Sequence, residues 1–179
     1  LYLSDGGHFE NLGIYELVRR GCRLIIATDA GCDPDYAFDD LANALRKCSI
    51  DLGAEIEINV EPIRPIDGFK HTKAHHAVGR IHYADGNEGV LLYVKASLTG
   101  GEDPDILNYA TNHTVFPHDT TADQAFDEDQ FESYRKLGFH IGDELFRAIR
   151  VAAEAANGSF TTAAFVTQVA SMAITPNDA

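Results

Sequence analysis

Hydrophobic and polar positions along the chain fall into two rhythms, and the switches between them mark the elements. The apolar run Leu1-Tyr2-Leu3 reads as a buried strand, broken by the polar stretch Ser4-Asp5-Gly6-Gly7-His8. Leu12, Tyr15 and Val18 then share one side of a short helix, about residues 12–20. Arg19 and Arg20 suit its negative end, and Gly21 is placed to stop it. The nearly continuous apolar run Cys22-Arg23-Leu24-Ile25-Ile26-Ala27-Thr28 predicts a strand buried on both faces, as in a parallel sheet. Asp33 followed by Pro34 predicts the capped start of a helix. Phe38, Leu41, Leu45, Cys48 and Leu52 keep helical spacing up to a stop at Gly53.

The middle of the chain changes period. Glu55 to Val60 alternates and predicts a half-exposed strand, after which Pro62 and Pro65 enforce irregular structure. Two further runs, about 77–84 and 90–97, flank Asp85-Gly86-Asn87-Glu88-Gly89 and predict a hairpin. Asp103-Pro104 repeats the cap-plus-proline device ahead of another helix. From Asp127, with Gln130 resembling a capping box, Phe131, Tyr134, Leu137, Ile141, Leu145, Ile149 and Ala152 predict about six turns of helix. Gly138 and Gly142 on one side would allow close helix contact or a bend. The order β-α-β-α with an antiparallel addition predicts an α/β fold around a mixed sheet. Residues 1–157 form the expected domain, and 158–179 read as a small, polar, flexible tail.

Composition narrows the function. Fourteen basic residues against twenty-eight acidic give a net charge of −14. That repels phosphate backbones, so nucleic acid is not an expected partner. No apolar run approaches the roughly 20 residues of a membrane helix. Cys22, Cys32 and Cys48 form no C-x-x-C pair, which argues against a disulfide framework or structural zinc and for a reducing, cytoplasmic setting. A chain opening on an apolar strand without Met predicts further sequence upstream.

Chemistry points first to Asp5, at a strand end followed by two glycines. Such ends gather ligands and catalytic groups in open α/β sheets, and Gly6 and Gly7 leave room for a sharp turn and a substrate. Backbone donors would keep the carboxylate ionised and able to take a proton from a nucleophile. An Asp-Gly turn without chemistry is the alternative on local pattern. Asp29, at the second strand end, reads as a structural cap or a cleft-lining group. His71, His75 and His76, beside Lys70 and Lys73, read as a solvated, mildly basic segment rather than a metal site. His113 and His118 read as packing or turn residues, and the acidic run 119–132 as a solvated loop leading into a helix.

The block Ser4-Asp5-Gly6-Gly7-His8-Phe9-Glu10-Asn11-Leu12-Gly13 resembles the D-G-G motif of patatin-like phospholipases. Asp29-Ala30-Gly31, Phe116-Pro117-His118-Asp119-Thr120-Thr121-Ala122-Asp123-Gln124 and Phe131-Glu132-Ser133-Tyr134-Arg135 look like a bacterial branch of that family. The resemblance implies a three-layer sandwich with its N-terminal half missing, and a Ser-Asp dyad without a catalytic histidine or cofactor. Asp5 matches the dyad aspartate and Gly6 and Gly7 its turn, with His8, Asn11 and Asp29 as possible cleft-lining residues. His8 lies too close to Asp5 to be a separate triad base. The implied activity is hydrolysis of a phospholipid or other acyl ester, of phospholipase A or lipase type, with a membrane surface reached through the missing part. None of the six serines sits in a G-x-S-x-G turn, so the nucleophile is expected upstream and this piece alone is expected to be inactive. The rival readings are a non-catalytic interaction protein of the same fold and a small-molecule-binding α/β domain, the latter without any G-x-G-x-x-G phosphate loop.

Overall fold

The computed structural model describes residues 3, 5–66, 70–120 and 122–173. Among these residues the chain forms four strands and five α-helices. In chain order they are α1 (Ile14–Arg19), β1 (Leu24–Asp29), α2 (Asp39–Leu52), β2 (Glu55–Ile58), β3 (His76–His82), β4 (Glu88–Lys95), α3 (Pro104–Asn112), α4 (Glu128–Asn157) and α5 (Thr162–Ser171). The sheet order is β1-β4-β3-β2. β1 pairs with β4 in parallel, while β2–β3 and β3–β4 are antiparallel. The fold is therefore α/β with an open mixed sheet.

Strand alternation sends successive side chains to opposite faces, and helices cover both. Ile25, Ala27, Leu91 and Tyr93 pack under Ile14, Val18, Leu41, Ala44 and Cys48 of α1 and α2. Val78, Val90 and Leu92 pack on the other face against Leu145, Ile149 and Val169 of α4 and α5. A third cluster of Leu98, Ile106, Phe116, Leu137 and Ile141 joins α3 to α4. No helix among the described residues is long and apolar enough to cross a membrane.

The predicted hairpin is present, closed by Tyr83 N–H to Asn87 O at 3.0 Å and by Gly86 at a positive φ of 84°. Asp127 caps α4, accepting from Gln130 N at 2.8 Å. Five differences have physical causes. β1 is an edge strand, so only alternate residues are buried and Ile26 stays 41% exposed. Asp33 does not cap a helix at Pro34; it accepts from Ala37 N and Phe38 N at 2.7 and 3.1 Å, folding a turn that carries Tyr36 and Phe38 at positive φ, and α2 starts only at Asp39. The stripe of α4 runs through buried Gln130 while Phe131 faces solvent. A Cβ at Gly138 or Gly142 would meet nothing within 4 Å, so these glycines open a space instead of tightening a helix contact. Residues 162–171 of the expected tail form α5, capped by Thr161 and seated on the sheet through Val169. The expected strand at Leu1-Tyr2-Leu3 lies mostly outside the described residues; Leu3 itself is exposed and in no strand.

Candidate functional site

The carboxyl ends of the parallel strands β1 and β4 meet with Asp29 beside Lys95, and β3 enters at the same end with His76 opposite Val94. This is the edge at which open α/β sheets build sites. Its foundation is a buried ionic network. Lys95, at 1% exposure, pairs through Nζ with Asp29 Oδ2 at 3.0 Å and with Asp33 Oδ2 at 3.2 Å. Tyr93 Oη also donates to Asp29 Oδ2, and Gly31 N to Asp29 Oδ1 at 2.8 Å. Burial pushes the Asp29 carboxyl up, but the donors from Tyr93, Gly31 and Lys95 outweigh it and hold it below the ordinary carboxylate range. Burial and the adjoining carboxylates hold the Tyr93 phenol far above its usual range, so it remains a donor. Asp29 is thereby committed to the network, with little acceptor capacity left for a substrate proton.

Asp5 is placed differently. It caps a short 3-10 turn, Gly6–His8, with Oδ1 accepting from Gly7 N at 3.0 Å, and it is exposed. A Cβ added at Gly7 would stand 2.5 Å from Asn11 Oδ1 and would turn that side chain away. With glycine there, Asn11 Nδ2 donates to Asp40 Oδ1 at 2.8 Å, tying the turn to the start of α2. Glu10, which sequence reasoning passed over, is buried and accepts from Leu12 N at 2.5 Å and Tyr15 N at 3.2 Å, fixing the entry to α1. A residue of that type just before a helix start is the signal that could have found it.

Asp5, Asn11 and Asp29 line one polar cleft of about 670 Å³, with Leu12, Thr28, Ala30, Gly31, Cys32 and Asp40 completing the wall. Gly6, Gly7 and His8 are not among its lining residues; they shape the turn that carries Asp5. A second cavity, apolar and about 310 Å³, runs between β1 and α4. Ile26, Val94, Leu137, Ile141 and Leu145 line it, and Gly138 and Gly142 leave it open. Thr28, Asp29 and Ala30 line both cavities.

The first histidine segment departs from expectation, while His113 and His118 are packing residues as expected. The segment around His71 and His75 is not solvated: Thr72 and His75 are buried, and Pro65–Thr72 and His71–Leu98 form isolated bridges that fold it under the end of β4. His113 stacks on Tyr109 and its Nδ1 meets Tyr109 O at 3.0 Å. His118 is buried edge-on against Tyr36, and neither ring nitrogen has a hydrogen-bond partner among the described residues. Burial and the charge of Lys95 lower its basicity. Comparison with protein-family models, with curated proteins and with solved structures finds no match to this chain.

Proposed function

We propose that the chain carries the acid–base half of a patatin-like Ser-Asp acyl hydrolase, acting on a phospholipid or similar acyl ester, with Asp5 as the residue that takes the serine proton. The observation that carries this reading is that two cavities lie side by side at the end of β1. A polar cleft holding an exposed carboxylate shares Thr28, Asp29 and Ala30 with an apolar groove. An ester of a long-chain acid needs both environments side by side: polar space for the carbonyl and head group, apolar space for the chain.

In this reading each group has a definite role. Gly7 N–H engages one carboxylate oxygen of Asp5 and orients the group, while exposure leaves the carboxylate reachable from the cleft. As the serine attacks the ester carbonyl, Asp5 accepts its proton, then delivers it to the departing alcohol; a water repeats the cycle to release the acid. Ser97 cannot supply the nucleophile, being fully buried and bonded to Lys95 O. The other serines lack flanking glycines at the required spacing. The serine and its oxyanion donors therefore belong, in this reading, to a segment outside these 179 residues. The free thiols at Cys22, Cys32 and Cys48 fit the cytoplasmic setting proposed for it, with lipid met at a membrane surface.

A fluorophosphonate probe tests the proposal on the full-length polypeptide. One serine within a G-x-S-x-G turn outside Leu1–Ala179 is expected to be labelled. Absence of any labelling removes the enzyme and leaves a non-catalytic protein of this fold.

A further inference from the structure

Three polar side chains from distant segments converge beneath the same end of the sheet, away from Asp5. His75 precedes β3, Glu102 lies between β4 and α3, and His140 lies midway along α4. One ligating atom of each falls within 4.8 Å of the other two. His75 and Glu102 are buried and His140 is half-buried.

With the His75 proton on Nδ1, the hydrogen bonds around the cluster leave its centre without a donor. Ser97 Oγ lies 3.1 Å from His75 Nδ1 and 3.3 Å from Lys95 O, and donation to that carbonyl assigns the His75 proton to Nδ1. That tautomer turns the lone pair of His75 Nε2 toward Glu102 Oε1, 3.6 Å away. Thr99 Oγ1 stands 3.5 Å from the same nitrogen but donates to Glu102. The Glu102 carboxylate is further gripped by Thr99 N at 2.5 Å and Gly100 N at 2.8 Å, so its position is fixed. His140 Nε2 is buried with no hydrogen-bond partner among the described residues; Glu144 Oε2 approaches it at 3.4 Å. Two imidazoles and a carboxylate therefore face one another, and acceptors brought together this way call for a cation between them.

We propose that His75, Glu102 and His140 bind a divalent transition-metal ion of the zinc class, which ties α4 to the end of the sheet. Two nitrogen donors and one carboxylate oxygen form the borderline donor set that zinc prefers over calcium or magnesium. Tetrahedral zinc with bonds of about 2 Å puts its ligand atoms about 3.3 Å apart. His75 and Glu102 nearly meet that spacing already, and His140, midway along α4, closes the rest. Ser97 on Nδ1 of His75, and Thr99 and Gly100 on Glu102, are the outer partners that hold metal ligands in orientation. His140 also lines an open hollow with Asp143, Glu144 and Arg147, the side from which the proposed ion enters, and Glu144 or a water completes the coordination.

The test is metal titration of the full-length polypeptide after chelation, by calorimetry with zinc and by visible absorption with cobalt(II). The wild type is expected to bind one equivalent in this site, to show the d–d bands of a tetrahedral cobalt centre, and to melt at higher temperature as zinc is raised. His140→Ala is expected to lose at least about a hundredfold in affinity, since removing a ligand costs more than removing an outer partner. Its melting in chelator is expected to stay close to the wild type, the loss being limited to the edge-on contact with His75 and the pair with exposed Glu144. Glu102→Gln weakens binding in the same direction, while His113→Ala binds as the wild type does. Absence of binding at micromolar zinc, or equal binding by His140→Ala, overturns the proposal.

Discussion

Lys95 is buried, and its charge is tolerable only because Asp29 and Asp33 stand within ion-pair distance. Asp29→Asn leaves that ammonium with one carboxylate, and a loss of about 3 kcal/mol is expected in chemical denaturation. The pH dependence has a definite sign. The folded-state pKa of Asp29 is depressed, so its contribution is complete above the ordinary carboxylate range and is lost as pH falls through and below about 4. His118 gives a second window: burial and Lys95 lower its pKa, so the unfolded chain takes up its proton first and stability falls as pH drops below about 6.5. His118→Phe is expected to flatten that slope in melting curves between pH 5 and about 7. At this scale the sequence was readable where chemistry is local. Asp5, Gly7 and Asn11 belong to one loop, so their meeting follows from the turn itself. Tyr93 and Lys95 reach Asp29, and Glu102 and His140 meet His75, only when separate elements dock, and no spacing between them announces it.

The elements show why periodicity succeeds or fails. The stripe of α4 and the alternation of β2 were legible because burial on one side is what periodicity measures. The apolar run of β1 misleads because Ile26 faces a groove rather than a packed layer. The start of α2 misleads because Asp33 folds a turn and serves Lys95 instead of capping. One contact fixes β2 against β3: a Cβ at Gly79 would stand 2.8 Å from Glu57 O and 2.8 Å from the Ile58 side chain. Backbone cannot yield cheaply there, so Gly79→Ala is expected to cost about 2 kcal/mol and to speed amide exchange over Glu55–Ile58. Asp127→Ala, which removes the cap of α4, is expected to cost about 1 kcal/mol.

Across the whole molecule, β1 is one of the two edge strands, among the described residues, of a sheet that helices cover on both faces. An edge strand with an exposed isoleucine beside an apolar groove is a template for pairing. The 179-residue chain on its own is expected to bind a hydrophobic dye and to self-associate, and Ile26→Lys to reduce both. A monomer that ignores the dye would argue that this edge needs no partner. The mixed sheet and the carboxylate of Asp29 at the end of β1 were legible as an α/β plan, whereas the groove was not, because it exists only where two glycines of α4 pass over β1. The proposed hydrolase rests on that groove meeting the cleft of Asp5. The most direct measurement is ester turnover by the full-length polypeptide and its Asp5→Asn variant under identical conditions. Loss of turnover by about a thousandfold or more, with unchanged melting, is the outcome expected of the residue that moves the proton. Wild-type turnover in Asp5→Asn would contradict the account.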